Sequence, residues 1–471
     1  MGMGEIVVAG GGFCGVAVAM LLAKDGHQVT VVDRDSAPPA SPEAAWASWE
    51  RRSVAHCRMV HVLLERGSAI LRRELPEVVH ELTDAGALVY NTLDHARCVG
   101  ATGGGPEPGD ERFTRVTARR VVLDWAMHRV AANCPGVKMR HDTAIAALVT
   151  GASLIESVPH VTGVRLASGD QLACDLLIDV SGRRGPTEDW LAGIGARSPL
   201  VVEEDYGFTY TGRHFRSRDG SMPFNAPLNT PIGSFSVLAV QADNDTWNLT
   251  IAHLSSDTLL RRRLRVAGVF ESVIRACPMH VGYLDGEPIS DLQSMSGTAD
   301  RERTFVIDGV PVVTGMISVA DAWACTNPSI GRGMTMGLMH AVVARDTIRD
   351  HLDQPARLAL EFHRRTQEQL GPWHDATHQT DQARVMASRA DIEARPVELS
   401  STAATVKAIM ENARRDLRCA RLAQDIAGCL VLPADVLSRP GTIDYVEATQ
   451  QRLGPPPAAG PDRTRLLQLL A

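Results

Sequence analysis

The 471-residue chain has few lysines and no block of basic residues. Three of its 48 basic residues are lysines, Lys24, Lys138 and Lys407, and its formal net charge at pH 7 is −7. Nucleic-acid-binding proteins present a basic patch or stripe to the phosphate backbone. The charge balance therefore argues against a nucleic-acid partner.

Long apolar runs and paired cysteines are also missing. No stretch approaches 18 uncharged apolar residues, so no transmembrane helix is predicted. The nine cysteines are odd in number and scattered, with no C-x-x-C, which argues for a reducing, cytoplasmic location and against a disulfide framework. His374 and His378 are spaced i, i+4, but no third ligand stands out, and a zinc site needs three or four. No metal site is predicted.

What the chain does contain begins with residues 5–35, which predict strand, glycine turn, helix and strand. Gly10, Gly12 and Gly15 fit G-x-G-x-x-G, in which the first glycine permits the turn, the second admits a pyrophosphate and the third lets helix and strand pack closely. Asp33 ends the second strand, where a carboxylate can accept hydrogen bonds from ribose hydroxyls. The segment predicts a site for an ADP-containing dinucleotide, with the pyrophosphate at the helix N-terminus.

A second motif lies some 300 residues later. In residues 305–341 a hydrophobic strand predicted at Val310 to Val313 leads to Asp321, Pro328, a Gly-Arg-Gly turn and an apolar helix. This order resembles the second FAD motif of the class A flavoprotein monooxygenases, the p-hydroxybenzoate-hydroxylase-like superfamily, which shares motifs with geranylgeranyl reductases and flavin-dependent halogenases. Ala320 stands in place of the usual glycine and Thr335 in place of the usual asparagine.

Three further segments carry the same resemblance. Residues 162–185 predict a hairpin and a buried strand that ends in Asp-x-x-Gly-Arg, although Gly185 replaces the usual serine. Arg120 matches the arginine of a helix start, with Asp124 in place of glutamate. Residues 49–66 resemble a helix entrance of actinobacterial-type members.

The resemblance implies non-covalent FAD as the cofactor. Asp321 would bond the ribityl chain, and the turn from Gly331 to Met334 would aim a helix N-terminus at the flavin pyrimidine edge, where reduced flavin is negative. The residues expected to contact the cofactor are Gly10, Gly12, Phe13, Cys14, Gly15, Asp33, Arg34, Arg120, Asp179, Asp321, Pro328, Gly331, Gly333 and Met334.

The expected fold is α/β, with a discontinuous Rossmann-like FAD-binding domain, an antiparallel-sheet substrate domain and a C-terminal helical region. The expected boundaries are 1–190 for the cofactor domain, continued at 301–355 and with an inserted substrate-side loop near 81–111, then 191–300 for the sheet and 356–471 for the helices. Hairpin strands are predicted within 206–215, 235–241 and 246–253.

The function implied is that of a monooxygenase that takes electrons transiently from NAD(P)H, reacts with O₂ to form a flavin C4a-hydroperoxide, and hydroxylates or epoxidises a hydrophobic or aromatic small molecule. The weak candidates for catalysis are Tyr210, His214 and Trp323. Four further residues are comparable candidates for contact with the substrate: Tyr206, Arg213, His56 and His61. For each of them a purely structural role explains the residue equally well.

Four other functions remain open. A reductase of the geranylgeranyl type shares all three motifs. A flavin-dependent halogenase needs a suitable lysine and a W-x-W-x-I-P segment, which is absent. A non-enzymatic protein of the GDP-dissociation-inhibitor type would lack flavin. An NAD-dependent dehydrogenase is disfavoured by the Asp321 motif.

Overall fold

The structure is a computed structural model, and it describes residues 3–54 and 56–471. Up to residue 193 the elements are β1 (Glu5–Ala9), α1 (Phe13–Lys24), β2 (Gln28–Val32), α2 (Pro42–Ser48), α3 (Glu65–Glu74), α4 (Pro76–Asp84), β3 (Leu88–Asn91), α5 (Leu93–Cys98), a 3-10 helix (Asp110–Phe113), β4 (Thr114–Thr117), α6 (Arg120–Ala132), β5 (Val137–Arg140), β6 (Ile145–Ile155), β7 (Val158–Leu166), β8 (Gln171–Ala173), β9 (Leu176–Asp179) and α7 (Thr187–Gly193).

The middle of the chain is rich in strands. It contains β10 (Leu200–Glu204), β11 (Phe208–Arg216), β12 (Asn229–Ile232), β13 (Phe235–Gln241), β14 (Thr246–Leu254), α8 (Thr258–Arg263), α9 (Val269–Arg275), a 3-10 helix (Val281–Leu284), β15 (Glu287–Pro288), β16 (Gln293–Met295), β17 (Asp300–Thr304), β18 (Val306–Ile307), β19 (Val310–Pro311) and β20 (Met316–Ser318).

Short elements then lead into a helical tail. They are a 3-10 helix (Ala320–Ala322), β21 (Ala324–Cys325), a 3-10 helix (Pro328–Ile330), α10 (Gly333–His351), α11 (Pro355–Gln369), α12 (Gly371–Ile392), α13 (Ser401–Asn412), α14 (Leu417–Ala427), α15 (Pro433–Leu437), α16 (Thr442–Leu453) and α17 (Arg463–Leu470). No helix of the described residues is long and apolar enough to cross a membrane.

A parallel sheet in the order β20-β9-β1-β2-β5 forms the first core. Helices α1, α6 and α10 pack on one of its faces, and the antiparallel sheet β6-β7-β8 packs on the other. Strands covered on both faces are apolar throughout, and β1 and β9 are buried along nearly their whole length for this reason. The sheet is assembled from three separate stretches of chain.

The larger antiparallel sheet runs β12-β13-β14-β11-β15, with β16 also paired to β11. One face packs on α8, α9 and α17, where Leu466 and Leu470 are buried in its core. The other face packs on α12 and Met59. The expected α/β fold, with its parallel sheet, antiparallel sheet and helical tail, is confirmed; the domain boundaries stay predictions.

Three local predictions need correction. The strand that enters the parallel sheet is β20 at Met316–Ser318, whereas the run from Val310 pairs only with β18 and is cut short by Pro311, which has no amide N–H to donate. The segment near 81–111 contains β3 and α5 as well as loop. Residues 49–54 and 56–64 form turns, and helix α3 begins at Glu65. Met1, Gly2 and Ala55, which fall inside predicted segments, lie outside the described residues.

Candidate cofactor and active site

The three glycines of the first turn differ in backbone conformation and in the space around them. Gly10 has a φ of +112°, which an L-residue adopts only under strain. A Cβ atom added to Gly12 would meet no heavy atom within 4 Å, whereas one added to Gly15 would lie 2.0 Å from the Gly10 carbonyl oxygen. Gly12 therefore faces open space at the N-terminus of α1, and Gly15 is packed against the turn.

The side chains of this turn point away from that open space. Phe13 is fully buried in the core, so its side chain is not available to a ligand. Burial raises the pKa of Cys14 to about 12, which keeps it a thiol at neutral pH. A Cβ on Gly337 would lie 2.2 Å from the Cys14 sulfur, so α1 and α10 meet here without room for a larger residue.

Asp33 lies just past β2, beside the turn, and its carboxylate is already engaged. The backbone N–H of Asp35 donates to its Oδ1 at 3.1 Å, and Arg51 donates from Nη2 to its Oδ2 at 3.2 Å. Burial raises the pKa of Asp33, and the Arg51 charge opposes that effect. Arg34, the next residue, is exposed.

Arg51 is a site residue that sequence reasoning missed. Its guanidinium is fully buried and also donates to the Gly11 carbonyl oxygen at 3.0 Å and to Asp35 Oδ2 at 3.1 Å. Its Nη1 lies 3.6 Å from Asp124 Oδ2. The only sequence signal was its place in the 49–66 segment, because its partners are spread over about 110 residues.

Asp321 lines a small cleft together with Trp323, Thr326 and Gly333. Burial raises the pKa of Asp321, against the charges of Arg183, Arg120 and Arg301. A Cβ on Gly333 would meet no heavy atom within 4 Å, so the N-terminus of α10 is open in the same way as that of α1.

The residue before Asp321 is one of the two departures from the motif, and its backbone is in a conformation that favours the usual glycine. Ala320 has a φ of +56°, the conformation for which glycine is the usual residue. Its N–H donates to Nδ1 of buried His340 at 3.1 Å, and His340 Nε2 lies 3.0 Å from Thr366 Oγ1. Burial lowers the pKa of His340 to about 3, so the ring is neutral and can accept this bond.

The turn before α10 is fixed by neighbours. Gly331 has a φ of +70°, and a Cβ there would lie 2.3 Å from Val62 Cγ1. Pro328 opens the preceding 3-10 helix, and Met334 is buried in the first turn of α10. Thr335 Oγ1 accepts from the Leu64 N–H at 3.1 Å, so this residue ties α10 to the 56–64 segment.

Arg120 and Asp179 differ in what they can offer a cofactor. Arg120 starts α6, bonds Asp124 at 2.8 Å and is one of the charges that act on Asp321. Asp179 is fully buried, and its two oxygens accept from Ser181 and Thr187. The carboxylate of Asp179 braces the loop after β9, and its contact with the cofactor stays a prediction.

The catalytic candidates on β11 lie on two different faces of the antiparallel sheet. Tyr210 is buried on the face toward α12, and its hydroxyl donates to Asn327 Oδ1. His214 packs edge-on against Trp46 at 5.0 Å, and burial lowers its pKa to about 3. Arg213 lies on the opposite face, and its guanidinium donates a hydrogen bond to the Ser290 carbonyl oxygen.

The remaining candidates also have protein partners. Tyr206 shares a 2.6 Å hydrogen bond with His378, and Trp323 packs edge-on against His340 at 4.9 Å. His56 and His61 stack at 5.2 Å, and burial lowers the pKa of His56 to about 4, helped by Arg120 and Arg183. Within residues 3–54 and 56–471, no group of His, Cys, Asp and Glu could hold a metal ion.

Comparison with known proteins finds matches to the start of the chain and to most of its length. The family model described as pyridine nucleotide-disulphide oxidoreductase matches residues 5–49, the first βαβ unit. Protein Rv3254 of Mycobacterium tuberculosis is 24% identical over 382 residues, which cover 78% of this chain and 77% of that protein.

Solved structures of flavoproteins share the fold. PqsL, a probable FAD-dependent monooxygenase from Pseudomonas aeruginosa, aligns with a TM-score of 0.56 at 15% identity, covering 83% of this chain and 96% of PqsL. The flavin-dependent brominase Bmp2 aligns with a TM-score of 0.62 at 14% identity, covering 96% of this chain and 100% of Bmp2. The chain therefore shares the overall fold of these solved flavoproteins, as the resemblance in its sequence implied.

Proposed function

We propose that the chain binds FAD non-covalently and transfers one oxygen atom from O₂ to a hydrophobic small molecule, with NAD(P)H as a transient electron donor. The observation that carries the proposal is the pair of open helix N-termini. Gly12 and Gly333 both face space that a Cβ would enter freely, and Asp321 lies in the cleft beside the second. The two N-termini would serve the two ends of a dinucleotide, with the pyrophosphate at α1 and the ring system at α10.

The chain's own residues would hold the group in three ways. Free N–H groups at α1 would bind the pyrophosphate, Asp33 and Asp321 would accept hydrogen bonds from ribose and ribityl hydroxyls, and the N-terminus of α10 would stabilise negative charge on the ring. Bound FAD would supply the redox chemistry, by accepting hydride from NAD(P)H and reacting with O₂. One oxygen atom would enter the substrate, and the other would combine with the hydride of NAD(P)H and one proton from solvent and leave as water.

The face of the antiparallel sheet toward α12 supports the proposal that the substrate is hydrophobic. An apolar cluster on this face contains Phe208, Tyr210, Leu238 and Leu254, together with Met59 of the 56–64 segment. Such walls exclude water from a reacting centre. Tyr210 and His214 remain the proposed polar contacts on this face.

Halogenation is the second candidate, because brominase Bmp2 shares the fold as fully as the monooxygenase does. The lysines of this chain argue against it. Lys24 pairs with Glu77 on the surface, Lys138 is exposed on β5, and Lys407 is 61% exposed on α13. None of them lines the cleft beside Asp321.

The cofactor is tested with glycine variants. Gly12→Ala should leave the far-ultraviolet spectrum and melting temperature of the apoprotein unchanged, yet abolish tight FAD binding in a fluorescence titration. Gly193→Ala, at another open helical glycine, should bind FAD normally, whereas Gly15→Ala should disturb the fold. Asp33→Ala and Asp321→Ala should each weaken FAD binding by about 1–3 kcal/mol. Preference for FMN over FAD would refute the cofactor assignment.

The reaction is tested with ¹⁸O₂. Candidate hydrophobic substrates are first screened for stimulated NAD(P)H oxidation by the FAD-loaded protein, and the product is then analysed by mass spectrometry. One labelled oxygen atom per product is expected. Unlabelled product, or undiminished turnover without oxygen, would favour the reductase, and a halide-dependent product would favour the halogenase.

A further inference from the structure

The turn that carries Asp321 contains a backbone conformation that its own sequence does not favour. Ala320 and Asp321 open a short 3-10 helix, and Ala320 has a φ of +56°. A residue with a side chain disfavours this left-handed region and keeps it only where the surrounding structure holds it there. Residues held in this way are concentrated at active sites and ligand sites. The neighbours of Ala320 therefore determine how Asp321 is directed.

The hydrogen bond that holds Ala320 comes from α10. The Ala320 N–H donates to Nδ1 of His340 at 3.1 Å, and because a backbone N–H can only donate, Nδ1 carries no proton. Burial lowers the pKa of His340 to about 3, so the ring is neutral and its proton lies on Nε2, 3.0 Å from Thr366 Oγ1. Both ring nitrogens are engaged, and the ring cannot turn without breaking two hydrogen bonds.

Packing fixes the same ring. His340 is fully buried, Phe362 stacks on it at 4.9 Å with the two planes 1° apart, and Trp323 packs edge-on at 4.9 Å. Phe362 and Thr366 lie one turn apart on α11, so this helix supplies both the stacking partner and the hydrogen-bond partner of the ring. The Nδ1 atom is therefore held in place opposite the turn.

Helix α10 approaches the turn closely along one face. Gly333, Gly337 and His340 are spaced i, i+4, i+7, so they lie on the same face of the helix. All three line the cleft beside Asp321. A Cβ on Gly337 would lie 3.3 Å from the Cβ of Ala320. One helix thus fixes both the open N-terminus at Gly333 and, through His340, the backbone just before Asp321.

We propose that His340 is a positioning residue for Asp321. By accepting the Ala320 N–H, it holds Ala320 in the left-handed conformation and keeps the Asp321 carboxylate in place relative to the N-terminus of α10. The proposal rests on the proposed function, in which these two features bind one FAD molecule. Without the acceptor, Ala320 returns to the conformations that a residue with a side chain prefers, and the Asp321 side chain turns away from the cleft.

The first test uses the apoprotein. Hydrogen exchange of the peptide that covers 319–325 is measured, with a peptide from β14 as the reference for the stability of the rest of the chain. His340→Leu removes the acceptor and should lower the protection of the Ala320 amide about tenfold. His340→Asn should keep it, because the asparagine side-chain oxygen is as many bonds from the backbone as Nδ1 is. His351→Leu, which removes another buried imidazole from α10, should change nothing in this peptide.

The second test measures the Kd for FAD by fluorescence titration at neutral pH. In His340→Leu the Kd should rise about 5- to 30-fold, since a residue with a side chain disfavours the left-handed conformation by roughly that factor. Glycine enters this conformation freely, so Ala320→Gly added to His340→Leu should return the Kd to within about threefold of wild type. His340→Asn and His351→Leu should bind FAD as wild type does.

Two results would overturn the proposal. One is equal behaviour of His340→Leu and His340→Asn, with or without a loss, and the other is no recovery of affinity on adding Ala320→Gly. If His340→Leu does not fold, His340→Gln replaces it, because its side-chain oxygen lies one bond further out, toward Thr366, and should show the same losses. The expected exchange results with no FAD binding in wild type or any variant would instead refute the proposed function and leave the hold of His340 on the turn supported.

Discussion

The ion pair between Arg119 and Asp243 connects the helix that starts at Arg120 with the hairpin turn between β13 and β14. Asp243 accepts from the Arg119 backbone N–H at 2.7 Å and from its Nε at 3.1 Å, and a further bond comes from Nη2. Both side chains are buried, at 2% and 0% exposure. Asp243→Asn keeps the shape of the residue and removes its charge.

The expected cost follows from that burial. The variant leaves the Arg119 guanidinium away from water with no counter-ion, and breaking a buried pair on one side costs about 3–5 kcal/mol. The Trp46 ring, 4.5 Å from the guanidinium, recovers only part of this, since a cation–π contact contributes about 0.5–2 kcal/mol and is present already in wild type. Whole domains are stable by about 5–15 kcal/mol, so the loss would be a large fraction.

Urea unfolding followed by circular dichroism measures the effect. Asp243→Asn should lower the midpoint strongly, and the double variant Arg119→Met/Asp243→Asn should regain stability because no buried charge is left unpaired. Glu411→Gln, which breaks the exposed pair with Lys407, should change nothing measurable. A loss below about 1 kcal/mol for Asp243→Asn, or a double variant less stable than either single one, would refute the reasoning.

Three other outcomes are expected. Burial raises the pKa of Asp381 from 3.8 to about 7 in the folded state, so the folded state binds an extra proton and the stability of the wild type falls as pH rises from about 4 to 7. Asp381→Asn should remove this dependence on pH. At pH 8 the variant should unfold at higher urea than the wild type, with a free energy of unfolding larger by up to about 4 kcal/mol. Ala320→Gly should relieve the positive φ and raise the thermal midpoint, with a net gain below about 1 kcal/mol because glycine is also more flexible unfolded. Arg51→Met should leave buried carboxylates facing one another, which should lower the free energy of unfolding in urea by about 3–5 kcal/mol and weaken FAD binding. The control Arg52→Met, at a neighbouring side chain that is 86% exposed, should change neither the stability nor FAD binding.

Local patterns predicted a large part of this molecule. The first βαβ unit follows from the spacing of Gly10, Gly12 and Gly15 and the apolar runs beside them, and the hairpin of β13 and β14 follows from its alternation around a polar turn. The order of three motifs was enough to predict the fold. Each of these motifs and hairpins is encoded within 10 to 35 consecutive residues.

The features that sequence did not predict depend on contacts between distant residues. Arg51 meets Asp124, and Ser329 meets Asp381, only after the chain has folded. Motif matching placed Asp179 correctly at the end of its strand but could not tell that Ser181 and Thr187 occupy its oxygens.

Helix α17 gives the antiparallel sheet an unusual dependence on the end of the sequence. Its Leu466 and Leu470 complete the core beneath β13 and β14, more than 200 residues after those strands, and Arg263 on α8 donates to the carbonyl oxygens of Leu470 and Ala471. During synthesis, the sheet emerges from the ribosome long before the residues that cover it. Until residues 463–471 arrive, the core that this face forms with α8 and α9 lacks Leu466 and Leu470, and part of its apolar surface is open to chaperones or to aggregation. Deletion of residues 463–471 would therefore reduce the yield of folded protein more than changes at the exposed loops.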